Sequence, residues 1–283
     1  MALEIEKATG TGFCFGVRRA VDLLEKVSVA GSIETLGAVV HNRPVLQRLA
    51  KIGITVAEGM DEIKGNRVAI SSHGVSPEVE KKLRARCPLV VDTTCPFVHR
   101  AQIAARRLAE AGYFTVIYGD ATHPEIKSVL GWAKGQGIAT LDVQSVTGMG
   151  NIPRRLGILS QTTQIPEQFN VFVKKLIDSV LGKDSELRII DTICHDIRER
   201  QEAALNLARR VDLMLVIGGH SSANTHHLVD LCSEATKTYL VETADEIKTS
   251  WFEGRPHVGI ASGASTDEET INEVQQKLKS LAF

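Results

Sequence analysis

Three of the five cysteines in this 283-residue chain share a local context. GTGFCFGVRRA surrounds Cys14, DTTCPFVHRA surrounds Cys95 and DTICHDIRER surrounds Cys194, and each cysteine is followed three residues later by Val17, Val98 or Ile197. Three thiolates suit a soft metal: zinc with one open position, or an iron–sulfur cluster with one iron lacking a protein ligand. None of the compact spacings of ferredoxins or zinc ribbons is present, so spacing alone leaves the metal open. Cys87, in RARCPLV, and Cys232, in VDLCSEA, read as small buried hydrophobes.

A second set of residues suits an anion. His41, His73 and His123 fall in three separate strand–loop–helix junctions, and Ser72, Thr162, Ser222, Asn224 and Ser265 occupy these or equivalent loops. Polar side chains backed by helix-start amides form a phosphate or diphosphate cradle without a Gly-rich nucleotide motif. Taken singly, Ser222 or Ser265 reads equally well as a helix cap. Glu125, in THPEIK, either answers the helix dipole or, near a bound diphosphate and metal, relays protons. His226 and His227 read as a helix surface.

These residues need elements to position them, and the chain repeats the same plan three times. His41, His123 and Ser222 follow their cysteines by 27 or 28 residues. YFTVIYGDATHPE and VDLMLVIGGHSSANTHH both read as a buried strand, a glycine and a polar loop opening a helix. RVAISSHGVSPEVEKKL, RRLGILSQTTQIPEQF and HVGIASGASTDEETINEV form the next such set. Helical spacing appears in Val17, Ala20, Val21 and Leu24, and again in Ala101, Ala104, Ala105 and Leu108. Short strands at Val68–Ile70, Thr115–Tyr118 and Leu213–Ile217 alternate with helices, which predicts an α/β fold of three segments over 13–92, 93–190 and 191–283 with a C-terminal tail. Ser76-Pro77-Glu78 and His123-Pro124 mark helix starts, and Thr266 with Glu269 resembles a capping box. LDVQSVTGMGNIP and GKDSELR read as connections.

Composition excludes several function classes. Hydrophobic residues make up 43% and charged residues 24%, so a sizeable core is expected rather than disorder. The net charge of -1 and an aromatic content of 5% give no sign of a nucleic-acid partner. No apolar run approaches the roughly 20 residues that span a bilayer. The opening MALEIEKATG lacks an apolar segment before a cleavage-like site, and no appended segment suggests targeting or a fused RNA-binding domain. A soluble cytoplasmic protein is expected, and the odd cysteine count argues against a disulfide scaffold.

The ordered set FCFGVRRA, VVHNRPV, SHGVSP, DTTCPFV, THPEI, SQTT, DTICHDIRERQ, SANT and GAST resembles the family of 4-hydroxy-3-methylbut-2-enyl diphosphate reductases over essentially the whole chain. That resemblance implies three pseudo-repeated α/β domains in a trefoil around a central pocket, and a [4Fe-4S] cluster with one iron open to substrate. Cys14, Cys95 and Cys194 become the cluster ligands by this resemblance. His41, His73, Ser222, Asn224 and Ser265 are expected to hold the diphosphate, with His123 adding to binding and proton delivery. Glu125 is the expected proton-relay carboxylate, and Thr162 should position the substrate hydroxyl and a water. The implied reaction is reductive dehydroxylation of the allylic diphosphate to isopentenyl and dimethylallyl diphosphate, the last step of non-mevalonate isoprenoid biosynthesis. Ferredoxin or flavodoxin is the implied electron donor, and a monomer is expected, with a homodimer as the alternative. Ala223 departs from the second serine or glycine of many relatives, and Asp120-Ala121-Thr122 replaces a histidine-containing stretch found in some; neither reads as loss of function. Other readings are a zinc hydrolase with three thiolate ligands, a cysteine-nucleophile transferase, and a non-catalytic iron–sulfur sensor or phosphate-binding module.

Overall fold

The computed structural model describes residues 3–181 and 184–281. In chain order, β1 (Glu4–Lys7) leads through Cys14 into α1 (Phe15–Ser28). Then come β2 (Ile33–Leu36), α2 (Arg43–Lys51), β3 (Ile54–Ala57), β4 (Arg67–Ile70), α3 (Pro77–Arg86) and β5 (Leu89–Asp92). Cys95 opens α4 (Pro96–Glu110), followed by β6 (Phe114–Tyr118), α5 (Pro124–Trp132), β7 (Gly137–Thr140), the single turn α6 (Gln144–Thr147), β8 (Arg155–Ser160), α7 (Pro166–Val180) and β9 (Glu186–Ile189). After Cys194 the chain forms α8 (His195–Ala208), β10 (Leu213–Ile217), α9 (Ala223–Ser233), β11 (Lys237–Val241), β12 (His257–Ser262) and α10 (Glu268–Ser280).

The strands make three four-stranded sheets, ordered β3-β2-β4-β5, β7-β6-β8-β9 and β11-β10-β12-β1, with every neighbouring pair parallel. Counted from the helix that follows each cysteine, all three have the order second-first-third-fourth. Such a sheet reverses its winding between its first and third strands, and ligands bind in the crevice beyond their carboxyl ends. The fourth strand of the last sheet comes from the other end of the chain: β1 pairs with β12, with Glu4 opposite His257 and Lys7 opposite Ile260. Each cysteine therefore follows a fourth strand.

Burial explains why these segments choose strand or helix. All five residues of Leu213–Ile217 are buried, as a parallel strand covered on both faces requires. In α1 and α4 the helical stripes Val17, Ala20, Val21, Leu24 and Ala101, Ala104, Ala105, Leu108 are buried. Prolines in the first turns of α2, α3, α4, α5 and α7 fix where those helices begin.

Three local expectations are corrected. LDVQSVTGMGNIP is not wholly a connection, because Gln144–Thr147 turns once as a helix around the buried Val146. In GKDSELR, Glu186, Leu187 and Arg188 belong to β9 and pair with β8, while Gly182 and Lys183 lie outside the described residues, as do Met1 and Ala2 of the opening stretch and Ala282 and Phe283 of the tail. The cap of α10 is Asp267, whose side chain accepts from Thr270 N; Thr266 instead donates its hydroxyl to Ile217 O at 2.9 Å.

The described chain also divides into two compact units. One comprises the N-terminal stretch to Val21, Val39–Gly53 and the part from His195 onward; the other comprises Asp22–Ala38 and Ile54–Cys194. Among the described residues no helix is long and apolar enough to cross a membrane.

Candidate active site

Every residue expected to act chemically lies beyond the carboxyl end of a first, third or fourth strand, or in the helix start that follows it. The first-strand loops, after β2, β6 and β10, carry His41, His123 with Glu125, and Ser222 with Asn224; the third-strand loops, after β4, β8 and β12, carry His73, Thr162 and Ser265. Those are the two loops that part at the switch point of each sheet.

The cysteines are tied in by one repeated bond. Cys95 N donates to Ser72 O at 3.0 Å, Cys194 N to Thr162 O at 2.9 Å and Cys14 N to Ala264 O at 3.0 Å. Each acceptor is the second residue after a third strand. The residue two before each cysteine is anchored to the last residue of that strand: Gly12 N to Ser262 Oγ at 2.9 Å, Thr93 Oγ1 to Ile70 O at 2.5 Å, and Thr192 Oγ1 to Ser160 O. None of the five cysteines is in a disulfide. Cys95 stands at the N-cap of α4 without capping it through its side chain, and Cys14 Sγ accepts from Val17 N at 3.4 Å. Burial raises the Cys14 thiol above its ordinary range, opposed by the Val17 N–H and the charge of Arg200. Cys87 and Cys232 sit in apolar clusters instead, and burial pushes the Cys232 thiol up to about 12.

In the larger unit, His123 caps α5 with its ring. Its Nδ1 accepts from Glu125 N at 3.1 Å, so the neutral imidazole carries its proton on Nε2. The His73 ring meets His123 edge-on, with centroids 5.3 Å apart. Gly74 at φ +67 turns the chain behind His73; a β-carbon there would lie 2.4 Å from Gln102 Nε2 and 3.1 Å from Ser128 Oγ. Glu125 is 3% exposed, and among the described residues Thr162 provides both donors to its side chain: N–H to Oε1 at 2.7 Å and Oγ1 to Oε2 at 2.8 Å. Burial raises the Glu125 carboxyl above its usual range, and the two Thr162 bonds oppose that only in part. The Asp120-Ala121-Thr122 departure makes a turn of its own, since Thr122 N and Oγ1 both donate to Asp120 at 2.8 Å. Those bonds hold Asp120 below its usual range.

In the other unit, Ser222 caps α9 by accepting from Thr225 N at 3.3 Å, as a plain cap would. Asn224, in the first turn, is different: it is 5% exposed and neither its Oδ1 nor its Nδ2 has a hydrogen-bond partner among the described residues. A buried amide with both ends unsatisfied fits a polar ligand, because leaving it so costs about 1–3 kcal/mol. Asn42 caps α2 through Val45 N and seats His41 immediately before the helix. A β-carbon on Gly219 would lie 1.9 Å from His41 O, so only glycine lets the α9 loop approach that carbonyl. Ser265 lies in the short turn before Asp267 and is half-buried.

Two residues went unread in the sequence. Arg200 is 6% exposed and donates Nη1 to Gly12 O at 2.8 Å; Asp196 Oδ2 accepts from Phe15 N at 3.1 Å. The signal was present in α8, where Arg200 and Gln201 interrupt an apolar stripe of Ile197, Ala204, Leu207 and Ala208.

Comparison with known proteins agrees with this fold. The LytB protein family model matches residues 5–279. A 4-hydroxy-3-methylbut-2-enyl diphosphate reductase of Dehalococcoides mccartyi is 58% identical over 281 residues, covering 99% of both chains. That of Geobacter metallireducens is 40% identical, covering 99% of this chain and 98% of its own. The fold superposes with a TM-score of 0.71 on a solved (E)-4-hydroxy-3-methyl-but-2-enyl diphosphate reductase, described as the terminal enzyme of the non-mevalonate pathway, at 37% identity over 99% of this chain and 100% of that one. A Plasmodium falciparum reductase structure, 24% identical, shares the fold with a TM-score of 0.88 over 98% of this chain and 87% of its own. Parallel α/β sheets with cysteine-led helices, and relatives matched over nearly their full length, place this chain in the LytB family of 4-hydroxy-3-methylbut-2-enyl diphosphate reductases.

Proposed function

We propose that Cys14, Cys95 and Cys194 hold a [4Fe-4S] cluster, and that His41, His73, His123, Ser222, Asn224 and Ser265 grip the substrate diphosphate. The chain is an iron–sulfur oxidoreductase that reductively dehydroxylates 4-hydroxy-3-methylbut-2-enyl diphosphate to isopentenyl and dimethylallyl diphosphate. The observation that supports the ligand set most strongly is the shared Cys N–H bond to the third-strand loop, made by these three cysteines and by neither Cys87 nor Cys232. Three cysteines outside any disulfide, each at a helix start, suit the cluster's demand for thiolates.

When bound, the cluster supplies electrons one at a time and a Lewis-acidic iron. The overall change takes up two electrons and two protons, breaks a C–O bond and releases water. This chain's residues supply anchoring and a proton. The Nε2–H of His123 is a donor set by the capping bond at Nδ1. Asn224 offers a donor and an acceptor, with no partner to displace among the described residues. Glu125, whose burial favours the protonated form, can give its proton to Thr162 Oγ1 while Thr162 passes its own hydroxyl proton to the leaving oxygen. Reversing that one bond moves a proton without moving either side chain. We further assign the three segments 13–92, 93–190 and 191–283 as domains, ferredoxin or flavodoxin as donor, and the cytoplasm as location.

The test replaces each cysteine with serine and measures iron, acid-labile sulfide and visible absorption after anaerobic purification. Cys14→Ser, Cys95→Ser and Cys194→Ser are expected to lose or severely destabilise the cluster, and Cys87→Ser and Cys232→Ser to retain it. Normal occupancy in Cys95→Ser would defeat the ligand set. Zinc without sulfide in the unsubstituted protein would favour a hydrolase.

A further inference from the structure

At one buried position the three cysteine-led helices differ in charge. Six residues after Cys14 and Cys95 stand Ala20 and Ala101, both essentially inaccessible; six residues after Cys194 stands the buried Arg200. A guanidinium placed where two repeats carry a methyl group is costly unless an anion compensates it. The compensation among the described residues is incomplete. Gly12 O takes one N–H, Asp196 Oδ1 lies 3.8 Å from Nε, outside hydrogen-bond reach, and Nε itself has no hydrogen-bond partner. Asp196 is also shared, since its other oxygen accepts from Phe15 N. These contacts bracket one residue: Arg200 holds the backbone two residues before Cys14, and Asp196 holds the backbone one residue after it.

We infer that Arg200 is the counter-charge of the Cys14 corner, a positioning residue that offsets the negative charge of the thiolate-bound cluster and makes it easier to reduce. The inference rests on the cluster assignment made above. A fixed buried cation beside one ligand favours the added electron through space, and the low local dielectric keeps that effect from being screened away. Because Ala20 and Ala101 occupy the equivalent places, the effect is built into one of the three repeats only.

The test is an anaerobic redox titration of the reconstituted holoprotein, followed by electron paramagnetic resonance, on wild type, Arg200→Lys and Arg200→Gln. Gln keeps a donor for Gly12 O but loses the charge; Lys keeps the charge but loses the planar fork. Arg200→Gln is expected to hold the cluster and shift its reduction equilibrium about tenfold toward the oxidised form, ~59 mV for one electron. Arg200→Lys should stay within about threefold of wild type. A wild-type potential in Arg200→Gln overturns the inference, and so does an equal shift in both variants, which would make Arg200 a packing residue. Should Arg200→Gln fail to hold the cluster, Asp196→Asn is read instead: it leaves Arg200 less neutralised and should shift the equilibrium toward the reduced form, and no shift or the opposite shift overturns the inference. If the wild type binds no [4Fe-4S] cluster, the functional assignment fails before any variant is compared.

Discussion

Among the described residues Glu125 takes both donors to its side chain from Thr162, so its chemistry can be separated from the rest of the site. Glu125→Gln keeps the volume but loses the exchangeable proton. Cluster content and substrate affinity should be unchanged, while C–O cleavage in an anaerobic single turnover of the pre-reduced protein should slow by roughly 10²-fold or more. A near-wild-type rate would reduce Glu125 to a helix-start residue. Stability gives a second readout. The folded carboxyl binds its proton more tightly than the ordinary value of 4.5, chiefly because it is buried. Its contribution is therefore fully present below about 4.5 and is lost as pH rises through the folded value. The melting temperature of wild type should fall relative to Glu125→Gln across that window, and a constant difference would contradict the raised proton affinity. Asn224 makes the complementary case, because its amide has no partner to lose among the described residues. Asn224→Leu should leave thermal stability equal or higher while weakening a non-reactive diphosphate analogue by about 10-fold or more, the scale of hydrogen bonds to a charged group. Loss of stability with unchanged binding would make Asn224 part of the core.

At the scale of elements, the site depends on where helices begin, and caps were only partly legible in the sequence. Ser76 and Pro77, and His123 and Pro124, mark α3 and α5 correctly because cap and proline are neighbours in the chain. The start of α10 was misread for a long-range reason: Thr266 has the right spacing to Glu269, but its hydroxyl is committed to Ile217 O, 49 residues away, and Asp267 caps instead. Asp267 also pairs with Arg48 of α2, and although burial acts upward, the Thr270 and Arg48 bonds bring its carboxyl below the usual range. Asp267→Ala should therefore cost about 1–2 kcal/mol in denaturant unfolding, whereas the exposed Glu269→Ala should cost less than about 0.5 kcal/mol. Equal losses would restore the capping-box reading. β9 was hidden for a similar reason, since Glu186–Ile189 has little strand character apart from its pairing with β8.

At the scale of the molecule, the threefold plan was readable because each repeat carries its chemistry in a short local word: a cysteine before a helix, then a histidine or serine 27 or 28 residues on. What local words cannot carry is which sheet a strand joins. Glu4–Lys7 completes the sheet of the last segment through β12, some 250 residues away, and nothing in EIEK announces that partner. The closure gives Cys14 the same fourth-strand approach that β5 and β9 give Cys95 and Cys194. The central claim is that this repeated plan serves one reaction on an allylic diphosphate, and turnover tests it most directly. The protein, reconstituted anaerobically with iron and sulfide and supplied with a one-electron reductant, is incubated with 4-hydroxy-3-methylbut-2-enyl diphosphate. The account predicts isopentenyl and dimethylallyl diphosphate, formed with two electrons consumed per molecule. A fully loaded [4Fe-4S] protein that binds the diphosphate and forms neither product would contradict it.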